Sequence, residues 1–152
     1  MEQAVIRPAG VPDIEQIIVM RREFTFEGEE GEERSGYEQE FRAFLADAIE
    51  GGRWQIWVAE VGGRIAAHVF VALVDKVPRP TRERRRIAYL TNVYTRPEFR
   101  GKGIGGRLLD RAQAAALRED VELMLVWPSD ESVDFYRRLG FESPVDLLVW
   151  EA

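Results

Sequence analysis

The chain has 152 residues, a formal net charge of −6 and a hydrophobic content of 45%, which is the composition of a globular protein with an acidic surface. It has no cysteine and one histidine, His68, so disulfides, thiolate zinc sites, a cysteine nucleophile and multi-histidine metal centres are excluded, and we expect no metal. The acidic balance argues against binding to nucleic acid, which relies on a basic surface. The N-terminus lacks the apolar core of a signal peptide, and no apolar run reaches the ~20 residues that span a bilayer. We therefore expect a cytoplasmic protein that does not contact a membrane.

The first half of the chain predicts a short strand, two helices and a β-hairpin, as the start of one continuous domain over residues 1–152. Residues 5–7 are compatible with a strand, and a first helix follows Asp13. Residues 23–36 are rich in glutamate and glycine, which indicates an exposed loop before a second helix begins at Tyr37. Two β-rich runs, 54–61 and 65–77, are joined by Gly62-Gly63, a dipeptide suited to a tight turn between antiparallel strands.

Strands and helices alternate in the second half. A strand over 87–95 is followed by a glycine-rich turn, an amphipathic helix, a buried strand over 123–127 and a final helix that Gly140 ends. Residues 141–150 are expected to return as a last strand region. This order predicts an α/β fold in which a mixed sheet is covered by helices on both faces. The apolar run 147–150 is expected either to complete the sheet or to pair with a second copy in a homodimer. The four tryptophans are expected in the core: Trp54, Trp57, Trp127 and Trp150.

The segment Arg100-Gly101-Lys102-Gly103-Ile104-Gly105-Gly106 lies between a predicted strand and a predicted helix. Glycines let backbone N–H groups approach an anion, and the helix N-terminus adds unpaired donors and the positive end of its dipole. The segment therefore predicts a pyrophosphate cradle, although taken alone a plain glycine-rich turn is an equal alternative. No Ser or Thr follows a Gly-Lys pair as in a Walker loop, and the third glycine of a dinucleotide fingerprint is missing.

Two segments resemble the GCN5-related N-acetyltransferase (GNAT) family. Residues 95–105 match the family's strand, proline and Arg/Gln-x-x-Gly-x-Gly/Ala loop, and residues 132–141 match its helix that ends in Tyr-x-x-Leu-Gly-Phe. The resemblance is strong over residues 87–142. It implies an α/β fold with a mixed, centrally splayed sheet, and an enzyme that moves an acetyl group from acetyl-CoA to a primary amine by direct attack in a ternary complex.

The resemblance also implies a role for each matching residue. The backbone of Val93, Tyr94 and Thr95 would pair with the pantetheine arm of acetyl-CoA, and the loop residues Arg100, Gly101, Lys102, Gly103, Ile104, Gly105 and Gly106 would bind its pyrophosphate. Ser129 stands where many members carry an asparagine that contacts the CoA arm. Tyr136 matches the tyrosine that protonates the departing thiolate, a role that suits a phenol of pKa about 10. A core aromatic is the structural alternative for Tyr136.

The general base is not evident. Tyr89 and Met124 stand at the two strand positions where family members often carry a glutamate, and neither accepts a proton at neutral pH. Water, or a carboxylate such as Glu23 or Glu27, would have to serve. The missing glutamates leave open an acyl-CoA-binding sensor or interaction module with little turnover. The acceptor is unknown, and the acidic segment beside the expected cleft favours a small cationic amine.

Overall fold

A computed structural model describes residues 2–83 and 85–152. Its four helices are α1 (Ile14–Gly28), α2 (Tyr37–Glu50), α3 (Ile104–Arg118) and α4 (Val133–Arg138). Its five strands are β1 (Val5–Pro8), β2 (Trp54–Val61), β3 (Arg64–Asp75), β4 (Arg86–Thr95) and β5 (Val121–Val126). Short 3₁₀ turns span Val11–Asp13, Pro97–Phe99 and Asp130–Ser132. Within the described ranges, no helix has both the length and the apolar character that a membrane span requires.

The strands form one sheet in the order β1-β2-β3-β4-β5, in which β4 and β5 are parallel and the other pairs are antiparallel. Gly62 and Gly63, with φ of 58° and 79°, join β2 to β3 as the predicted two-residue turn. A parallel pair needs a long crossover, and α3 provides it between β4 and β5. The mixed sheet confirms the predicted fold class.

Apolar clusters cover both faces of the sheet. Helices α1 and α2 cover one face, with a cluster that contains Ile17, Ile18, Leu45 and Phe70. Helix α3 covers the other, with a cluster that contains Leu108, Leu109, Val69 and Val71. Strand β3 lies between the two clusters and is buried from Ile65 to Val71, which explains its almost unbroken apolar sequence.

Helix α1 is longer than the sequence predicts. It continues to Gly28, so Glu23 and Glu27 lie on a helix and the prediction of a loop from residue 23 is wrong. Both carboxylates accept hydrogen bonds from side chains on or just after β4, namely Tyr94, Arg96 and Arg100. These long-range contacts stabilise two helical turns whose own sequence is too polar to predict them.

The C-terminal segment also departs from the prediction. Residues 141–150 form no strand, and the outer edge of β5 pairs with no other strand of the described chain. Leu148 is 96% exposed and Trp150 is 89% exposed. The apolar sequence favours a strand, but a strand needs a hydrogen-bonded neighbour and this segment has none. Trp127 is also exposed, so the expectation that the tryptophans lie in the core is wrong for Trp127 and Trp150. Trp54 and Trp57 are partly buried.

Strand β4 changes its pairing halfway along. Its ladder with β5 ends at Leu90, which pairs with Val126. On the side of β3, the register moves from Phe70 opposite Thr91 to His68 opposite Tyr94, so β4 carries one extra residue there. Asn92 lies in this bulge with φ of 50°, in the left-handed region. The sheet is therefore splayed from residue 91 onward, as the family resemblance implies.

Candidate active site

A cleft of about 630 Å³ opens where β4 and β5 separate. Three parts of the chain form most of its wall: the second half of β4, the glycine-rich turn with the start of α3, and the segment that leads into α4. The end of α1 contributes Phe24 and Glu27. No strand of the described chain pairs with β4 beyond Leu90 on this side, so this edge of its backbone borders the cleft, where the Thr95 carbonyl accepts from Arg100.

Most of the predicted site residues line this one cleft. They are Val93, Tyr94, Thr95, Arg100, Gly101, Gly103, Ile104, Gly105, Gly106, Ser129 and Tyr136. Lys102 is not among the residues that line it, because its Nζ donates to the Glu98 carbonyl at 3.2 Å and lies over the ring of Phe99. The side chain of Lys102 is thus directed away from the place that the sequence predicted for it.

The glycine-rich turn has the local geometry of an anion site. Gly101 and Gly103 have φ of 73° and 76°, which side-chain-bearing residues rarely adopt, and Gly103 is the N-cap of α3. A Cβ on Gly105 would lie 3.3 Å from Thr95 Oγ1, so glycine also permits close packing of α3 on β4. The first N–H groups of a helix have no partner within it, and here they border the cleft.

An ion pair crosses one end of the cleft. Arg100 Nη2 donates to both carboxylate oxygens of Glu27, at 2.9 and 2.8 Å, and Arg100 Nε donates to the Thr95 carbonyl at 2.9 Å. The hydroxyl of Tyr94 donates to Glu27 at 2.6 Å. Burial opposes ionisation of Glu27, but the hydrogen bonds from Tyr94 and Arg100 outweigh it and the pKa of Glu27 is lowered. Glu27 is therefore a weak base in this arrangement.

Tyr136 joins the cleft to the core. Its side chain is buried, and its ring makes edge contacts with Phe135 and Phe141 at centroid distances of 5.1 and 5.5 Å. Burial raises the pKa of Tyr136 to about 12, so the phenol keeps its proton at neutral pH. The residue is thus both a core aromatic and a protonated hydroxyl at the cleft, and the two readings of the sequence are compatible.

Ser129 lies before α4 rather than on it. Its Oγ donates to Ser132 Oγ at 2.9 Å, and Ser132 Oγ donates to the Ser129 carbonyl at 3.0 Å. The two serines therefore brace the turn at Asp130–Ser132 and both border the cleft.

Tyr89 and Met124, the two strand positions at which a glutamate would serve as the general base, carry no carboxylate. Tyr89 pairs with Leu125 in the β4–β5 ladder, and its ring meets Trp127 edge-on at 5.6 Å. Met124 pairs with Ala88 in the same ladder. Glu23, the other carboxylate considered, accepts a hydrogen bond from Arg96 Nε at 3.1 Å.

Sequence reasoning did not assign several residues that line the cleft: Phe24, Phe99, Glu131, Ser132, Phe135 and Arg138. The last four lie within or next to the second signature, so its helical spacing could have indicated them. Phe24 stacks on Tyr94 with 4.9 Å between ring centroids, across about 70 residues of chain. No local sequence pattern predicts the contact between Phe24 and Tyr94.

Two relatives of known sequence are similar to part of the chain. An uncharacterised N-acetyltransferase of Methanocaldococcus jannaschii is 32% identical over 71 residues, which cover 45% of this chain and 31% of that protein. The thialysine N-ε-acetyltransferase of Sus scrofa is 30% identical over 71 residues, which cover 44% of this chain and 41% of that protein. The matched part spans less than half the length of either relative.

A solved structure and a family model match a larger part of the chain. A Clostridium acetobutylicum protein, described as a predicted acetyltransferase with acetyl-CoA, superposes with a TM-score of 0.80 at 25% identity, over 98% of this chain and 96% of that one. The family model described as an acetyltransferase (GNAT) domain matches residues 52–143, which is more than half of the chain. These matches confirm the resemblance seen in the two sequence signatures. The chain belongs to the GCN5-related N-acetyltransferase (GNAT) family.

Proposed function

We propose that the chain is an acetyl-CoA-dependent N-acetyltransferase that acts in the cytoplasm, where acetyl-CoA is available, on a primary amine. The observation that carries the proposal is the cleft itself. Free strand backbone, a glycine-rich helix N-terminus and a protonated, buried tyrosine border the same space. Relatives named as N-acetyltransferases and a structural neighbour with acetyl-CoA support it.

The chain's own residues fit the parts of acetyl-CoA in order. The side of Val93 to Thr95 that no other strand pairs offers backbone groups to the amides of the pantetheine arm, in the way that one strand offers them to the next, and the arm competes with Arg100 for the Thr95 carbonyl. The N–H groups from Gly101 to Gly106 offer donors to the pyrophosphate. Arg138 lines the cleft and adds positive charge to that wall. We assign Ser129 a polar contact to the arm.

Acetyl-CoA supplies a thioester whose carbonyl carbon the neutral amine attacks, so that a C–N bond forms as the C–S bond breaks. We assign Tyr136 the donation of a hydrogen bond, and then its proton, to the sulfur as negative charge builds there. Solvent returns a proton to the phenol afterwards. The chain has no cysteine, and the Ser129 hydroxyl donates to Ser132 and not to a base that would activate it as a nucleophile, which supports direct transfer.

We assign the removal of the amine's proton to water. Glu27 is held by Tyr94 and Arg100, and its lowered pKa makes it a poor acceptor of that proton. For the acceptor we propose a small cationic amine. The exposed acidic segment 29–33 follows α1 beside the cleft, and one relative is named for the ε-amine of thialysine.

A second candidate is an acyl-CoA-binding sensor with little turnover. It is favoured by one observation, that Tyr89 and Met124 occupy the two positions of the β4–β5 ladder where a glutamate would serve as the base. It predicts acetyl-CoA binding without acetyl transfer.

Two measurements on the purified chain test the proposal and separate the candidates. Calorimetry with acetyl-CoA reports binding, and thiol release across a panel of polyamines, lysine analogues, aminoglycosides and peptide N-termini reports turnover. Binding with amine-dependent thiol release supports the transferase. Binding without release by any amine supports the sensor, and the absence of binding overturns both.

A further inference from the structure

His68 lies at the centre of the molecule, and the mechanism above does not use it. It is fully buried on β3, between the rings of Phe70 and Tyr94, at centroid distances of 5.4 and 5.9 Å. Its Nδ1 lies 2.8 Å from the carbonyl oxygen of Asn92. A carbonyl oxygen only accepts, so Nδ1 carries the proton and donates it. Burial lowers the pKa of His68 to about 4, which keeps the ring neutral.

The hydrogen bond at Nδ1 leaves the other ring nitrogen of His68 without a hydrogen-bond partner in the part of the chain that the structure describes. With the proton on Nδ1, the other nitrogen, Nε2, is an acceptor that is buried and has no partner among the described residues. An unsatisfied buried polar atom carries an energetic cost in the folded state. An apolar residue would avoid that cost in so apolar a place, so the Nδ1 bond is the feature that distinguishes histidine there.

Asn92, the partner, has an uncommon backbone. Its φ of 50° places it in the left-handed region, and it forms the bulge at which β4 gains a residue relative to β3. Such a conformation persists when the surroundings fix it. Arg21 of α1 fixes the side chain, by donating from Nη1 to Oδ1 at 3.0 Å, and His68 fixes the carbonyl.

The bulge immediately precedes the strand segment that borders the cleft. Val93, Tyr94 and Thr95 follow Asn92, and all three line the cleft. A bulge changes the direction in which the following backbone groups point. The geometry of Asn92 therefore determines how that segment meets a ligand.

We infer that His68 is a positioning residue for acetyl transfer, whose Nδ1–H holds the β4 bulge at Asn92 and so orients the Val93–Thr95 backbone toward the acetyl group and arm of acetyl-CoA. The inference rests on the proposed function of the cleft. It assigns to β3 a part in the reaction, although β3 contributes no residue to the wall of the cleft.

Three variants separate the hydrogen bond from packing. His68→Leu removes the donor, and His68→Asn retains an amide N–H close to the position of Nδ1. Asn92→Gly makes the left-handed backbone inexpensive, so the bulge no longer depends on His68. Leu45→Ala in α2 serves as the control, because it destabilises the core on the same face of the sheet without contacting the bulge's hydrogen bonds.

Calorimetry with acetyl-CoA and the separate values of kcat and KM are the readouts, with the melting temperature measured alongside. We expect His68→Leu to weaken acetyl-CoA binding about tenfold, which corresponds to about 1.4 kcal/mol, and to lower kcat as well. His68→Asn should recover affinity to within about threefold. The loss caused by His68→Leu should shrink in the Asn92→Gly background, as a coupling between the two residues. Leu45→Ala should lower the melting temperature and leave the affinity unchanged.

The outcomes that overturn the inference differ from those that overturn the function. If the wild-type chain binds acetyl-CoA and His68→Leu binds equally well, the positioning role is wrong. It is also wrong if His68→Asn is as weak as His68→Leu and Asn92→Gly brings no relief, because the loss then comes from packing. If the wild-type chain does not bind acetyl-CoA, the proposed function fails first.

Discussion

Replacing Tyr136 with phenylalanine deletes one hydroxyl and leaves the ring packed against Phe135 and Phe141. If the phenol protonates the departing thiolate, kcat should fall about 10²–10⁴-fold while acetyl-CoA affinity and melting temperature stay close to wild type. Steady-state thiol release and calorimetry measure the two effects. Tyr89→Phe, on β4 and outside the residues that line the cleft, is the matched control. A Tyr136→Phe variant within about threefold of wild-type kcat would exclude the role and favour the sensor.

The pH profile tests the same residue independently. Burial raises the pKa of Tyr136 to about 12, from about 10 in an unfolded chain. The stabilisation from burying the neutral phenol is complete below about pH 10 and is lost as the pH rises through about 12. We therefore expect no loss of kcat from this group between about pH 8 and 11. A fall in kcat centred near pH 10, present in the wild type and absent from Tyr136→Phe, would show that the phenol is solvated instead.

At the scale of secondary-structure elements, the N-terminus of α3 gives the clearest test of anion binding. Gly103 has a left-handed φ and Gly105 packs on Thr95, so charged substitutions there would disturb the fold. Gly106 has neither restriction: an added Cβ meets nothing within 4 Å. Gly106→Glu therefore introduces negative charge and bulk into the cleft without backbone strain.

We expect Gly106→Glu to weaken acetyl-CoA binding at least about tenfold and to leave the melting temperature unchanged or raised. The two effects diverge because glutamate favours a helix over glycine and suits its first turn, while it repels the pyrophosphate. Calorimetry and thermal melting measure them. Gly52→Glu, which also has open space but lies outside the cleft, should bind like the wild type. Unchanged binding by Gly106→Glu would place the pyrophosphate elsewhere.

The elements also show what the sequence can predict. The loop and α3 are encoded locally, in glycines at fixed offsets before an amphipathic stripe, and the prediction of their place in the fold is confirmed. The last two turns of α1 depend on Tyr94, Arg96 and Arg100, which lie about 70 residues away, so no window of sequence contains the cause. The bulge at Asn92 cannot be predicted from the local sequence for the same reason, because its partners His68 and Arg21 belong to other elements.

At the scale of the whole molecule, we propose that a second copy of the chain covers the exposed C-terminal run, residues 147–150. Leu147 and Val149 are half-exposed and Leu147 lines a groove beside β5, while Leu148 and Trp150 face outward. Apolar side chains on both sides of an extended segment suit burial between two surfaces, and the outer edge of β5 is unpaired. The sequence predicted that this apolar run would either complete the sheet or pair with a second copy, and the structure shows no strand there.

We expect light scattering to give the mass of a dimer, and Leu148→Asp with Trp150→Ser to give a monomer, because the charge and the lost aromatic surface remove the apolar contact. Val77→Asp replaces an apolar side chain that is 84% exposed on a loop elsewhere, and it should leave the dimer intact. A wild-type chain that stays monomeric at high concentration would show that the segment is not a dimer contact.

The separation of β4 from β5 also affects how fast the backbone amides of β4 exchange hydrogen with water. Backbone amides of Thr91–Thr95 that β3 does not pair are open to water in the free chain, so they should exchange their hydrogens for deuterium rapidly. The pantetheine arm of acetyl-CoA would pair with these amides as an additional strand does. Acetyl-CoA at about 100 times its Kd adds about 2.7 kcal/mol to the stability of the folded state. Deuterium uptake in a peptide spanning 91–95 should therefore slow sharply when acetyl-CoA is added, whereas uptake in β1, at the far edge of the sheet, should change little. Equal protection of both edges would mean that the ligand tightens the whole sheet and does not complete one side of it.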